Sequence, residues 1–71
     1  MKSKVKEYRQ KLEITQQELG DKAGVARQTI NSLENGKYNP SLILAYKITS
    51  ILGLDNIHDL FTFEKEDLEE E

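Results

Sequence analysis

Residues 15–36, TQQELGDKAGVARQTINSLENG, carry helix starts and stops so close together that this part of the chain can form only short helices joined by tight turns. Thr15 and Glu18 are spaced as a capping box, in which each side chain takes one of the free N–H groups at a helix start. Ile14 and Leu19 bracket that start at the positions of a hydrophobic staple. Gly24 then interrupts the helical period. It suits the left-handed turn that closes a helix, where glycine has no Cβ to clash. Val25 and Ile30 repeat the staple spacing around position 26. Ala26 itself is a poor cap, costing about 1 kcal/mol relative to Ser or Thr. Asn35-Gly36 ends the next helix.

The flanking segments follow the same logic. Val5, Tyr8 and Leu12 recur at i, i+3 and i+7 and give a first helix one apolar stripe. Ser41 caps a fourth helix, with Leu42, Ala45, Ile48 and Leu52 facing a core and Gly53 stopping it. Asp55 or Asn56 caps a last short helix containing Ile57 and Leu60. Phe61 and Phe63, two residues apart, share a face of a strand and not of a helix. Residues 61–64 are therefore expected to be extended. The expected fold is an all-α domain of five short helices over residues 1–63, followed by an acidic tail at 64–71.

With 71 residues the chain is one domain at most. A domain this small buries only about 60% of its unfolded surface, so its stability margin is narrow. It has no cysteine to supply disulfides or thiolate ligands. Oligomerisation or close helix packing has to supply the rest. No apolar run approaches the roughly 20 residues of a membrane span. The basic N-terminus lacks the apolar core of a signal peptide. A soluble, cytoplasmic protein is expected, with no membrane partner.

The net charge of −3 divides unevenly. Residues 64–71 hold six acids and one base, a local −5. Residues 1–63 hold nine bases and seven acids, a net +2, and residues 1–11 alone hold five bases against Glu7, a net +4. A mildly basic domain with an acidic tail points to an anionic partner. Most such charge runs, however, are simply solvated faces.

The outer face of the third helix is more telling. At about 100° per residue, Ile30 and Leu33 turn inward. Gln28, Asn31, Ser32 and Asn35 turn outward, with Arg27 at the edge. In a chain that is 32% charged, this face is built of amides and a hydroxyl, with no acid at its centre. Such groups donate and accept together. Gln or Asn can bond adenine bidentately, and Arg can bond guanine, each good pair giving about 1–3 kcal/mol of discrimination. A merely solvated face would more often carry Lys and Glu.

Two helices separated by a three-residue turn containing Gly form the layout of a helix-turn-helix. The sequence resembles the Xre/Cro–C1-type helix-turn-helix regulators, the lambda-repressor-like family. The residues that carry the resemblance are Ile14-Thr15-Gln16-Gln17-Glu18-Leu19, Gly24-Val25, Arg27-Gln28-Thr29-Ile30, the run from Leu33 to Leu42, and Leu60-Phe61. It covers nearly all of residues 3–63.

The resemblance implies a DNA-binding transcriptional regulator, a repressor acting as a homodimer on a palindromic operator in double-stranded DNA. It implies base contacts by Gln28, Asn31 and Ser32, and a base or phosphate contact by Arg27. Gln16, Gln17, Thr29, Asn35, Lys37, Tyr38, Asn39 and Ser41 would hold the DNA backbone. Contacts of the first kind specify sequence, and those of the second fix register. Arg9 and Glu34 match a partly buried ion pair of the family, with a structural role. Two positions depart from the family pattern. Ala26 stands where Ser or Thr is usual, and Gly20 stands where Ala is common, costing about 1 kcal/mol of helix propensity.

Other features have simpler readings. His58 lies near Asp55 and Asp59, but one imidazole and two helix-end carboxylates make a poor zinc site. No serine shares an element with a histidine. Neither catalysis, a metal nor a cofactor is expected. Tyr8, Tyr46, Phe61 and Phe63 belong to core or interface. Residues 61–64 are expected to pair antiparallel with a symmetry mate, placing Leu60, Phe61 and Phe63 at a dimer interface.

Three readings stand for the tail: a disordered solubilising segment, a competitor with DNA for the basic surface, or a site for a regulatory protein partner. The rival for the whole chain is a protein-interaction module, such as the antitoxin of a toxin–antitoxin pair. Such a module would not need the amide face.

Overall fold

The computed structural model describes residues 1–64. The acidic tail, apart from Glu64, lies outside the described residues. In order the elements are strand β1 (Lys2–Ser3), helices α1 (Val5–Lys11), α2 (Gln16–Ala23), α3 (Arg27–Glu34) and α4 (Leu42–Ile51), a 3-10 turn at Ile57–Asp59, and strand β2 (Phe61–Thr62).

Helices α2 and α4 start on side-chain caps. At α2, the Thr15 hydroxyl accepts from the Glu18 N–H at 3.0 Å, and the Thr15 N–H donates to Glu18 Oε1 at 2.8 Å. Gly24, at φ 78°, closes that helix in the left-handed conformation. The Ser41 hydroxyl accepts from the Leu44 N–H at 3.1 Å and starts α4. Ala26 takes the extended N-cap conformation of α3 without any side-chain hydrogen bond.

Gly20 has a steric reason. A Cβ there would lie 2.8 Å from the Val25 carbonyl oxygen. The Val25 N–H also donates to the Gly20 carbonyl at 2.9 Å. The turn between α2 and α3 is thus folded tightly against α2, which fixes how the two helices sit.

The core is a single cluster. Val5, Leu19, Ile30, Leu33, Ile48, Leu60 and Phe61 are all buried, and Ala23, Leu44, Ala45 and Leu52 complete it. Three expectations are corrected here. The fifth helix is a three-residue 3-10 turn, capped by the Asn56 side chain, which accepts from the His58 N–H at 2.8 Å. Leu42 is exposed, and Leu44 takes the core position instead. The apolar run Leu42-Ile43-Leu44 offers two registers to the inward face, and only the packed structure selects between them.

The third correction concerns residues 61–64. Phe61–Thr62 is extended, but it pairs antiparallel with the chain's own N-terminus, Lys2 opposite Thr62 and Ser3 opposite Phe61. The Lys4 N–H extends the contact to the Leu60 carbonyl at 2.8 Å. Leu60 and Phe61, expected at a dimer interface, are buried inside the protomer. Their side chains fill the hydrophobic core that so short a chain needs for itself.

Candidate nucleic-acid interface

The helix-turn-helix is a packed pair. Leu19 and Ala23 of α2 meet Ile30 and Leu33 of α3 in the core. This turns the opposite side of α3 to solvent. Arg27, Gln28, Asn31 and Asn35 are exposed there, and Ser32 and Thr29 are half-buried. Glu34 also belongs to α3, but its side chain is only 3% exposed and lies against Arg9, 10% exposed. Arg9 Nε donates to Glu34 Oε2 at 2.6 Å, and its Nη2 donates to Oε1 at 3.2 Å. The one acid of α3 is thereby hidden and neutralised. Arg27 carries the helix's remaining formal charge.

The amide face is partly ordered before any ligand arrives. Asn35 Nδ2 donates to the Asn31 carbonyl and to Asn31 Oδ1, both at 3.0 Å. Asn31 Oδ1 is thus engaged, and its Nδ2 is the group left to point outward as a donor. Gln28, Thr29 and Ser32 line an open groove with Ala26, Lys37 and Tyr38. The Lys37 N–H donates to the Ser32 carbonyl at 2.9 Å, which folds the loop back onto α3. Residues expected to meet bases and residues expected to meet the backbone are therefore neighbours along this groove. Asn39 and Ser41 are exposed further along the same loop.

A second concavity lies at the start of α2, lined by Arg9, Gln10, Thr15, Gln16, Gln17 and Arg27 among others. Gln16 is held from both sides: its Nε2 donates to Glu34 Oε1 at 2.9 Å, and its Oε1 accepts from Arg27 Nη1 at 3.2 Å. Gln17 Nε2 donates to Asp21 Oδ1 at 2.9 Å on the outer side of the helix. In the sequence Gln16 and the Arg9–Glu34 pair look unrelated, and Glu34 joins them only in the folded chain. Four residues from three helices leave no local pattern that would have revealed it.

Such a surface can donate and accept hydrogen bonds along a groove edge, with a cation at the N-terminal end of α3. The described residues contain no helix long and apolar enough to cross a membrane.

Comparison with known proteins agrees with this geometry. A helix-turn-helix family model matches residues 5–55. The chain is 52% identical over 68 residues to a protein of Archaeoglobus fulgidus named an uncharacterized HTH-type transcriptional regulator, the match covering 96% of both chains. A protein of the same description from Methanothermobacter thermautotrophicus is 46% identical over 66 residues, covering 93% of this chain and 96% of the other. One from Bacillus subtilis is 44% identical over 66 residues, covering 93% and 98% respectively. By the family match across its helices and by relatives similar along nearly their whole length, this chain belongs to the Xre/Cro–C1-type helix-turn-helix family of DNA-binding transcriptional regulators.

Proposed function

We propose that this regulator is a repressor that binds a short palindromic operator as a homodimer, each α3 entering one major groove. Half-sites are then about 34 Å apart, one turn of DNA, or a multiple of that. The observation that carries the reading is the exposed amide and hydroxyl face of α3, from which the charge of Glu34 has been withdrawn. Gln28, Asn31 and Ser32 read base edges. Arg27 meets a base or a phosphate. Gln16, Gln17, Thr29, Asn35, Lys37, Tyr38, Asn39 and Ser41 hold the sugar-phosphate backbone. Repression follows by occlusion: a bound dimer blocks polymerase or a competing regulator. With DNA as its target, the protein acts in the cytoplasm.

The test is selection of bound duplexes from a random library at stated salt, with wild type and with Gln28→Ala. A palindromic consensus that relaxes at one base position per half-site in the variant is the expected result. Weak, salt-sensitive binding with no enriched sequence would remove the specific-repressor reading and favour a protein partner.

A further inference from the structure

We propose that the exposed face of α4 is the surface on which a second copy of this chain docks, with Leu42, Ile43 and Tyr46 at its centre; this deepens the homodimer reading above by locating its interface. The ten residues of α4, LILAYKITSI, include one ionisable cation, Lys47, and no acid. Leu44, Ala45, Ile48 and Thr49 form its buried side. The outward side of a helix that met only water would be polar, like the Lys, Glu and Gln positions of α1 and α2. Instead Leu42 is 65% exposed, Ile43 71% and Tyr46 59%, and Tyr38 on the loop leading into the helix is 42% exposed. The other large apolar side chains exposed among the described residues, Leu12 and Phe63, stand apart from this group in sequence.

Three arguments make the occupant another copy. The first is self-complementarity. In a two-fold dimer the same patch meets itself, so a charge at its centre, on the axis, meets its own like. The exposed side of α1, by contrast, carries Lys6, Glu7 and Lys11. From Lys37 to Leu54 the sequence has no acid and only two cations, and the centre of the α4 face has none.

The second argument is distance. Recognition helices about 34 Å apart each stand about 17 Å from the two-fold axis. Tyr38 borders the groove that holds Gln28 and Ser32. Leu42 follows Tyr38 by four residues, at most about 14 Å of extended chain. The chain therefore keeps the α4 face close to α3, within the roughly 17 Å that separates a recognition helix from the axis of adjacent half-sites.

The third is the state of the alternative. Leu60 and Phe61 are spent in the protomer's core, which leaves Phe63, 39% exposed, as the large apolar side chain offered by the C-terminal strand region. A stable dimer needs about 800 Å² from each partner, roughly one-sixth of the 4892 Å² this chain exposes. One phenylalanine is a poor start for that area, whereas Leu42, Ile43 and Tyr46 offer three exposed apolar side chains within two turns of one helix.

The experiment is sedimentation equilibrium of the full chain, without DNA, from micromolar to hundreds of micromolar. Wild type, Ile43→Glu and Phe63→Glu are compared, with circular dichroism and thermal unfolding to confirm that each is folded. The expected result is a wild-type dimer, left intact by Phe63→Glu. Ile43→Glu weakens it by at least about 100-fold, because it sets two carboxylates face to face across the axis. A second measurement does not depend on a charged variant folding. The chain has no cysteine, so Ile43→Cys and Phe63→Cys each carry one thiol, and a short bis-maleimide should join Ile43→Cys chains in pairs but leave Phe63→Cys single. A monomeric wild type throughout the range, or dissociation and cross-linking that follow position 63 and not 43, overturns the proposal. Selection of bound DNA reports separately. An enriched sequence with no α4 dimer sinks this interface and spares the DNA reading, and an α4 dimer with no enriched sequence does the reverse.

Discussion

Gln16 and Glu34 are joined by a 2.9 Å hydrogen bond that crosses from the first residue of α2 to the last of α3. The same Glu34 Oε1 accepts from Arg9, and the far side of the Gln16 amide accepts from Arg27. Reversing that amide would turn its carbonyl toward a carboxylate and its NH₂ toward a guanidinium. Its orientation is therefore fixed, and a buried ion pair determines where an exposed arginine of the DNA-facing helix rests.

Replacing Gln16 by Glu tests this relationship. The variant exchanges a donor for a second carboxylate beside Glu34. A hydrogen bond to a charged group contributes about 1.5–3 kcal/mol, and a loss of that size is expected in the urea unfolding midpoint. Affinity for the selected operator should fall with it. Unchanged stability would mean that Gln16 is not held by Glu34 in solution.

The Arg9–Glu34 pair should be costly to halve and cheaper to remove. Arg9→Ala leaves a carboxylate with no ion partner and frees the Ile14 carbonyl, which accepts from Arg9 Nη1 at 2.9 Å. Either single alanine variant is expected to lose about 3–5 kcal/mol, a large share of what a small domain has. The double change Arg9→Met with Glu34→Leu should lose less than either single variant. Denaturant melts of the four proteins decide it, and additive losses would contradict the buried pairing.

Ala26 offers a gain. Its backbone, at φ −69° and ψ 153°, already has the shape of an N-cap but lacks a side-chain acceptor. Ala26→Ser should add about 1 kcal/mol by supplying an oxygen for the first free N–H groups of α3. A higher melting temperature checks this, and no change would show that solvent already satisfies that end.

Glu13 is a second site for improvement. It is the sole non-glycine with positive φ among the described residues, at 58°. A side chain there costs about 1–2 kcal/mol, against about 0.5–1 kcal/mol for the added freedom of an unfolded glycine. Glu13→Gly should therefore raise stability by up to about 1.5 kcal/mol. Differential scanning calorimetry measures it directly, and a lower melting temperature would count against strain at this turn.

The parts readable from the sequence are those governed by neighbours in the chain. Thr15, Glu18, Gly24 and Ser41 act within four residues of themselves, and the structure bears out their capping and turn roles. Leu19, Ile30 and Leu33 follow the helical period and are buried. What failed depends on remote partners. A two-residue strand at Lys2–Ser3 has no alternation to detect, and Phe61 turns inward because that strand is there to hold it. Helical period alone places Leu42 in the core, although Leu44 fills that space. At the candidate site, the outward residues of α3 could be read from helical geometry. Their coupling to Arg9 through Gln16 and Glu34 could not, since nothing in one helix encodes the ends of two others.

The β1–β2 pairing has a consequence for the order in which the chain assembles. Its ladder matches Lys2 with Thr62, so it closes a loop spanning nearly the whole domain, whereas the capped helices form between near neighbours. Loop-closure entropy has to be met before so distant a contact is rewarded. The clasp is therefore expected to form late. Weakening it should leave the refolding rate almost unchanged and speed unfolding, so that these few backbone bonds act as a latch on the native state and not as a guide toward it.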